Sequence, residues 1–522
     1  MVAGVLDSET AQPIISPACR ASSSDGAQAT GPAWALSYPE EGSRYTGLGS
    51  DGVVCPSLRP CPLTLKPAEN LKKGPFAMSL AFKLAQHLNN VRYEDLPPQA
   101  IEHAKMIIAS TFASAAPGTA IGSAMIMRDI AKENGGAPDA TVWFDGTKLP
   151  LTETVRVNAM LSDAAASDDS DMRNIAHIGT LATSVSLAVA EKVGSTGKDV
   201  LAAIAAGYEA SGRIGEAINP GEGGFHACVI TVFAGAIAAG RLLKLTDEQL
   251  AHAICLSATS IGGLAMSTNS WGREYHAGFA AVSGLTGVLA ARRRYAGDLS
   301  ILEAPRGFLK SFNSKVEPDS ILEGIGDEWD INTHLMIKLR PGAHPLSAAV
   351  EAAINAASEG NVNPDEVAGI KVSGPRMRNQ IGHRHPTDLV GAIHSLPYYL
   401  AAATVDKDFT WVHATLEKIT DPTIGKLQDL VEVDPYPPAV DYTWGWGATV
   451  IIEMKDGSSY RSTVNAPIGS GPRGIDWGDV EDKYRTLMPE SGISPDRMQN
   501  AMLVIKDLEN AQDVSPLIDL IS

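Results

Sequence analysis

The chain has 522 residues and a formal net charge of −18, and 44% of its residues are hydrophobic while 20% are charged. The chain is too long to fold around one compact core, so we expect two or three domains with room for a sizeable cleft. The acidic balance excludes nucleic acid and anionic membranes as general partners, because binding to either requires a basic face. The longest apolar run, residues 227–240, is too short to span a bilayer.

Residues 1–75 are rich in Ser, Gly and Pro and lack a periodic apolar face, which predicts a disordered N-terminal extension. Three of the five cysteines lie in this segment and no two cysteines form a CxxC pair, so we expect a reducing compartment in which Cys228 and Cys255 are buried. The segment contains arginines but also acidic residues, which transit peptides usually lack. We therefore expect a cytoplasmic protein, with the mitochondrion as the alternative.

Helical spacing of apolar residues begins at Ser79 and continues to about residue 330. Two helix starts are marked by capping boxes, one formed by Thr196 with Asp199 and the other by Thr246 with Gln249. Convincing strand alternation is absent from this region. The pattern predicts a large all-helical domain whose first part covers residues 76–330.

The character of the sequence changes near Thr333. Residues 367–374 alternate like a strand, and residues 448–464 form two β-type runs around Asp456 and Gly457, which is a strong hairpin signal. Helical spacing returns after Gly471. We therefore predict a mainly α fold in which a smaller α+β lid domain (331–470) is inserted into the helical domain, which resumes at 471–522 and forms a cleft with the lid.

An acidic run, SDDSD at residues 167–171, precedes His177 and an apolar helix predicted from about Gly179 to Val193. Mutual repulsion between its carboxylates raises at least one pKa if the site is enclosed, which suits acid and base chemistry. The imidazole of His177 is expected near free helical N–H groups, which attract carboxylates. The alternative is a solvated loop with Asx-type turns.

Two further helix entrances carry polar residues. His226 follows a Gly-rich segment at the start of the long apolar helix, and Arg273 and His276 precede an Ala-rich helix. A guanidinium binds carboxylates in a bidentate manner and stays charged at all usable pH values. The alternatives are a core or capping histidine and a surface ion pair.

Further candidates lie where the predicted domains meet. The segment IKLRPGAHP contains Lys338, Arg340 and His344, and a desolvated lysine in a cleft can donate a proton, although a solvated lysine is more common. In the predicted lid, candidates for substrate contact or for a solvated basic face are Arg376, Arg378 and His383.

A His-x-His pair, His383 and His385, could bind a metal ion. The same segment continues through His394 and Ser395 to Tyr398. No companion cluster has zinc or iron spacing, so we predict no metal site. Walker, strand-linked GxGxxG and GxSxG motifs are likewise absent.

Taken in order, these stretches resemble the MmgE/PrpD family, which includes 2-methylcitrate dehydratase, cis-aconitate decarboxylase and iminodisuccinate epimerase. The resemblance covers about residues 78–520. It rests on the acidic loop with His177, on FH at 225–226, and on the segments REYHAGFAA, IKLRPGAHPLSAAVEAA, AIHSLPYYLAAATVD and APIGSGPRGIDWGDVEDKYRTL. It implies a homodimer of subunits with a large helical domain and an α+β lid, an active site between the domains, and no metal or organic cofactor.

The resemblance also assigns residues. The family's loop commonly reads aspartate, aromatic residue, Asp or Asn, Asp, Thr. One alignment matches its last three positions to 168–170, and a second starts the motif at Asp168 and ends it at 171–172; we prefer the first, with Asp169 and Ser170 in the site. Arg273 stands where catalytic members usually have lysine, so carboxylate binding is retained there but proton donation is not.

The predicted chemistry is proton transfer at a carbon next to a carboxylate, with cations holding the carboxylates of the substrate. The leading hypothesis is a lyase acting on a small di- or tricarboxylate; the alternatives are an isomerase and a catalytically silent homologue. The predicted catalytic residues are His177, His226, Asp169, Lys338 and Tyr398. The predicted substrate-binding residues are Arg273, Ser170, Asp168, His276 and Arg340.

Overall fold

The computed structural model describes residues 79–218, 224–379, 381–442 and 444–522. The predicted extension, residues 1–75, lies outside the described residues. The described chain is mainly helical with three small sheets, which confirms the predicted mainly α class. None of its helices has the length and apolar character needed to cross a membrane.

A first core cluster contains buried residues from Leu80 to Ile337 and again from Ile475 to Ile521. Its helices are α1 (Leu80–Asn90), α2 (Pro98–Gly118), α3 (Gly122–Asn134), α4 (Leu151–Ala164), α5 (Ile178–Val193), α6 (Gly197–Ala217), α7 (Cys228–Leu242), α8 (Asp247–Thr259), α9 (Gly272–Arg292), α10 (Phe308–Phe312) and α11 (Asp330–Thr333).

A second core cluster contains buried residues from Leu346 to Val464. Its helices are α12 (Ser347–Glu359), α13 (Leu389–Ala392), α14 (Leu396–Asp406), α15 (Leu416–Ile419) and α16 (Pro422–Gln428). The chain then returns to the first cluster with α17 (Trp477–Leu487), α18 (Pro495–Lys506) and α19 (Ser515–Leu520).

Local sequence signals explain the helix starts and the close helix packing. Both predicted capping boxes are confirmed, because the Thr196 and Thr246 hydroxyls accept hydrogen bonds from the backbone N–H groups of Asp199 and Gln249. Small residues let helices approach: a Cβ at Gly207 of α6 would lie 2.8 Å from the Ala234 carbonyl oxygen of α7. A side chain at this position would therefore push α6 and α7 apart.

The largest sheet lies in the second cluster. Its strands are β5 (Val367–Ser373), β6 (Val431–Val433), β7 (Ala448–Met454) and β8 (Ser459–Val464), in the order β6-β5-β7-β8. The predicted strand at 367–374 and the predicted hairpin around Asp456–Gly457 are both confirmed, since β5 exists and β7 pairs antiparallel with β8.

Three short strands are a difference from the all-helical prediction for residues 76–330, and a fourth follows just after that range. Strands β1 (Ala140–Thr141) and β2 (Lys148–Leu149) pair with each other, and β3 (Asp169–Asp171) pairs antiparallel with β4 (Leu335–Ile337). Elements of two or three residues are too short to show alternation. The β3–β4 pairing fixes the acidic loop against the segment that carries Lys338, whose backbone N–H donates to the Asp168 carbonyl over 3.2 Å.

Candidate active site

A cavity of about 510 Å³ lies at the ends of several helices. Residues of the first cluster and residues between 338 and 446 line it together. Its polar lining includes Arg173, His177, His226, Arg273, Lys338, His344 and Arg376. Four of these side chains are arginine or lysine, so the cavity can hold an anion in a chain of strongly negative net charge.

His177 stands at the N-terminus of α5 and meets two carboxylates. Its Nδ1 lies 2.5 Å from Oδ1 of Asp163 and 2.8 Å from Oδ2 of Asp168, and its Nε2 lies 3.5 Å from Nζ of Lys338. Burial and the Lys338 ammonium lower the pKa of His177, but the carboxylates of Asp168 and Asp163 outweigh them and raise it to about 9. At neutral pH His177 therefore carries a proton that it can donate.

Asp168 links His177 to Lys338. Its fully buried carboxylate accepts hydrogen bonds from Nζ of Lys338 at 2.9 Å and from Oγ1 of Thr180 at 2.8 Å. Burial acts to raise the pKa of Asp168, but His177 and Lys338 hold that pKa far below its ordinary range. Asp168 is therefore an anion that helps to keep His177 protonated.

Asp169 caps α5 and turns away from the cavity. Its two carboxylate oxygens accept hydrogen bonds from the backbone N–H groups of Gly179 at 2.7 Å and of Thr180 at 2.9 Å. The N–H groups at this helix start do attract a carboxylate, as expected, but the carboxylate is that of Asp169 in the protein itself. Burial, together with Asp168, raises the pKa of Asp169 to about 6, so the expected raised pKa in the acidic run falls on this residue.

The rest of the acidic loop is also buried behind the cavity. The Ser170 hydroxyl lies 3.5 Å from the Asp171 carbonyl oxygen, and the Asp171 carboxylate forms an ion pair of 3.0 Å with Arg173. Neither Ser170 nor Asp171 lines the cavity. The alternative interpretation, a solvated loop, is wrong, since all three aspartates of the run are buried.

His226 lines the cavity and lies just before α7. Its Nδ1 accepts a hydrogen bond from the Cys228 backbone N–H at 3.2 Å, and its ring centre lies 5.3 Å from that of His276. Burial and the neighbouring positive His177 lower the pKa of His226 to about 3. His226 is therefore neutral at pH 7, in contrast to His177.

Arg273 lies in the first turn of α9 rather than before the helix. Its Nη2 donates to the carbonyl oxygens of Asp163 at 2.7 Å and of Ala164 at 3.0 Å, and its side chain lines the cavity. His276 follows one turn later and contacts the His226 ring without lining the cavity itself. The guanidinium is thus anchored to the end of α4, beside the carboxylate that holds His177.

Two further predicted residues, Arg340 and Tyr398, do not reach the cavity. Arg340 lies 4.0 Å from Glu351, and the Tyr398 hydroxyl donates to the His413 carbonyl oxygen at 2.6 Å in a separate buried layer. Neither residue lines the cavity. The structure places His177, His226, Lys338 and Arg273 in the cavity lining, and Asp168 contacts His177 and Lys338 from behind it. The other predicted residues do not line the cavity: Asp169, Ser170, His276, Arg340 and Tyr398.

Sequence reasoning missed Asp163, Arg173 and Trp446. Asp163 lies in α4, where a single acid on a buried face was the available signal. Arg173 was hidden inside the acidic loop and pairs with Asp330 at 2.7 Å. No sequence signal marked Trp446, which enters the cavity from the loop before β7.

One group of described residues has metal-ligand character. The carboxylates of Asp163 and Asp168 and the imidazole of His177 bring ligand atoms within 4.8 Å of one another. The Lys338 ammonium lies 2.9 Å from Asp168, and the Arg273 guanidinium lies 3.9 Å from Asp163. These two cations compete with a metal ion for the same oxygens. The predicted His383–His385 pair points elsewhere, since His385 is exposed and lies 2.8 Å from Asp429.

Comparisons with known proteins cover most of the chain. Residues 83–320 match the MmgE/PrpD N-terminal domain, and residues 342–508 match the MmgE/PrpD C-terminal domain. A cis-aconitate decarboxylase from Aspergillus terreus is 26% identical over 468 residues, which cover 83% of this chain and 94% of the relative. A cis-aconitate decarboxylase from Aspergillus terreus strain NIH 2624 / FGSC A1156 is 27% identical over 471 residues, with the same shares of both chains.

Proposed function

Since the chain belongs to the MmgE/PrpD family, we propose that it is a lyase acting on a small di- or tricarboxylate without a metal or organic cofactor. One observation carries this proposal. A protonated and a neutral histidine, His177 and His226, line the same cavity as the cations Arg273 and Lys338. Such a set can hold carboxylates and move a proton between substrate and protein.

The comparison with the relatives favours decarboxylation as the reaction, since both relatives are named cis-aconitate decarboxylase. In this reaction the bond between a carbon and one carboxylate breaks, CO2 leaves, and the electron pair stays on the carbon skeleton. Arg273 and Lys338 would stabilise the negative charge by holding the remaining carboxylates. His177 would then deliver its Nε2 proton to carbon.

Dehydration uses the same groups in a different order. His226 would take a proton from the carbon next to a carboxylate, and His177 would donate a proton to the departing hydroxyl group, which leaves as water. The pKa of about 3 for His226 belongs to the cavity without substrate. A bound carboxylate would raise that pKa and make His226 a better base.

The carboxylates of Asp163 and Asp168 support either reaction by keeping His177 charged and oriented. Both approach the same Nδ1 atom, so Nε2 is the ring nitrogen left for the substrate. Lys338 lies 3.5 Å from this Nε2. A substrate carboxylate between the two cations would relieve their mutual repulsion, which ties substrate binding to the position of the proton donor.

We also propose that two copies of the chain form a homodimer and that the α+β domain is a lid. Large apolar side chains are exposed along the start of α9, where Trp271 and Tyr275 are each 53% exposed and Phe279 is 44% exposed. A patch of this kind suits contact with a second copy. Sedimentation should give twice the subunit mass, and Trp271→Glu should weaken the association. The division at 331–470 and the cytoplasmic location stay predictions.

The experiment that tests the lyase incubates the full chain with cis-aconitate, 2-methylcitrate and citrate while CO2 and the organic products are quantified. Turnover of at least one acid is expected, with loss of activity in His177→Gln and in His226→Gln. An isomerase would instead incorporate solvent deuterium without net loss of substrate. Binding of these acids without conversion of any would overturn the lyase and favour the catalytically silent homologue.

A further inference from the structure

Arg376 differs from the other cations of the cavity in its electrostatic surroundings. Arg173 pairs with Asp171, Glu216 and Asp330, while Arg273 and Lys338 lie beside Asp163 and Asp168. Within the described residues, no carboxylate lies within 4.0 Å of the Arg376 guanidinium. Its positive charge is therefore available to an anion that enters the cavity.

Trp446 supports the guanidinium of Arg376. The central carbon of the guanidinium lies 4.5 Å from the centre of the Trp446 ring, and the Trp446 residue is only 6% exposed. A cation–π contact with a buried indole restrains the plane of the guanidinium. Arg376 is thus held with its fork of N–H groups in a defined orientation.

Two more polar atoms lie in this corner of the cavity. The ring of His344 meets the Trp446 ring edge to face at 6.2 Å, and both residues line the cavity. The Nδ1 of His344 and the Nε1 of Trp446 are buried and have no hydrogen-bond partner among the described residues. Buried polar atoms normally have a partner, so a ligand that satisfies them is expected here.

We propose that Arg376 is a specificity-determining residue that binds a carboxylate of the substrate remote from the reacting carbon. This inference rests on the proposed function. Arg273 and Lys338 hold the reacting end against His177, and Arg376, presented by Trp446, selects acids that carry one more carboxylate. A planar guanidinium with an unbalanced charge gives a bidentate, charge-assisted contact, which a carboxylate satisfies better than a hydroxyl or an amide.

The test measures binding of non-reacting acids by calorimetry. Propane-1,2,3-tricarboxylate is compared with pentanedioate and butanedioate, each of which lacks one carboxylate. The unmodified chain should prefer the tricarboxylate, and Arg376→Gln should weaken its binding by roughly tenfold or more while changing dicarboxylate binding little. The matched control is Arg378→Gln, because Arg378 is also exposed and lies two residues further along, in the 3-10 turn Met377–Asn379, but does not line the cavity.

Turnover gives a second readout. With a reacting tricarboxylate, Arg376→Gln should raise KM and leave kcat nearly unchanged, because the lost contact is made equally in the ground state and the transition state. Arg376→Lys should recover part of the affinity through charge alone. Trp446→Leu should act in the same direction as Arg376→Gln, but more weakly.

The outcomes separate this inference from the lyase proposal. Unchanged tricarboxylate affinity in Arg376→Gln, or an equal loss in Arg378→Gln, would overturn the role of Arg376 even if cis-aconitate is converted. A selective loss of tricarboxylate binding in Arg376→Gln, without turnover of any acid by the unmodified chain, would support the role of Arg376 and overturn the lyase. Equal thermal unfolding midpoints of both variants and the unmodified chain would exclude misfolding as the cause.

Discussion

Nδ1 of His177 lies 2.5 Å from Oδ1 of Asp163, a fully buried carboxylate near the end of α4. The same residue, through its backbone carbonyl, accepts a hydrogen bond from Arg273. Asp163 therefore orients the His177 imidazole with its side chain and the Arg273 guanidinium with its main chain. The two groups to which we assign proton donation and carboxylate binding thus share one residue that does not line the cavity.

Asp163→Asn should move the pH dependence of activity. Burial lowers the pKa of His177, and the carboxylates of Asp168 and Asp163 raise it to about 9, so removal of one carboxylate lets that pKa fall. The alkaline limb of the kcat/KM profile should shift towards neutral pH by about one unit or more. Activity at pH 8.5 should fall much further than activity at pH 6.5.

The matched control for this variant is Glu153→Gln on the same helix. Glu153 lies 3.3 Å from Arg156 and is remote from the cavity lining. The pH profile of kcat/KM for Glu153→Gln should coincide with that of the unmodified chain. An Asp163→Asn profile that falls by the same factor at every pH would contradict the role of Asp163 in setting the pKa of His177.

Helices and three strands of the largest sheet could be predicted from the sequence because their signals are local, whereas β6 was not predicted. Capping at Thr196 and Thr246 and the hairpin turn at Gly457 are set by residues three or four positions apart. The position of His177 at a helix start was predictable for the same reason. Family membership followed from the order of such stretches along the chain.

The contacts of the site depend on residues far apart in the sequence. Asp168 meets Lys338 because β3 pairs with β4, and strands of three residues leave no periodic signal. Neighbouring aspartates also diverge: Asp168 turns to the cations, whereas Asp169 turns to the N–H groups of α5. A shift of one residue in the pairing of β3 with β4 would exchange the two aspartates, and with them the one that contacts His177 and Lys338. Amino-acid composition carries no information on this register.

Gly342→Ala should destabilise the fold and damage the cavity wall. Gly342 has φ of +100°, and a Cβ there would lie 1.3 Å from the hydroxyl oxygen of Tyr399. That hydroxyl donates to the Pro341 and Ile393 carbonyl oxygens, so its displacement breaks both contacts. We expect a loss of about 2 kcal/mol or more in thermal or denaturant unfolding.

Gly425→Ala is the control for the glycine prediction. Gly425 lies within α16, and nothing stands within 4 Å of the Cβ that alanine would add. Because alanine favours the helix, this variant should gain roughly 0.5 kcal/mol in stability. A Gly342→Ala protein as stable as the unmodified chain would show that Tyr399 can move without cost.

His177 should make stability fall as the pH rises above neutrality. Its pKa is about 9 in the folded chain against 6.5 in a model peptide, so the folded state keeps its proton longer than the unfolded state. The stabilisation is fully present below pH 6.5 and is lost as the pH rises through 9, with a size of roughly 3 kcal/mol. The difference in unfolding midpoint between the unmodified chain and His177→Gln should shrink between pH 6 and pH 9.5. A difference that is constant over this range would contradict a raised pKa.

Lys483 of α17 should have the opposite effect in an overlapping range of pH. Its buried ammonium donates to the Ser110 hydroxyl at 2.7 Å and to the Ser167 carbonyl oxygen, next to the acidic loop. Burial lowers its pKa to about 7, because the attraction of Asp168 only partly offsets the loss of hydration. Between pH 7 and the lysine reference value of 10.5, the unfolded state binds more protons, so this residue makes stability rise with pH.

The two residues can be separated because their contributions have opposite signs between pH 7 and pH 9. In the unmodified chain they partly cancel, and the unfolding midpoint should change little there. Lys483→Met removes the rising contribution, so its midpoint should fall with pH more steeply than that of the unmodified chain, whatever its absolute stability at pH 7. His177→Gln should show the reverse slope. Parallel curves for all three proteins would contradict the lowered pKa of Lys483, since a lysine that stays protonated in both states adds no dependence on pH.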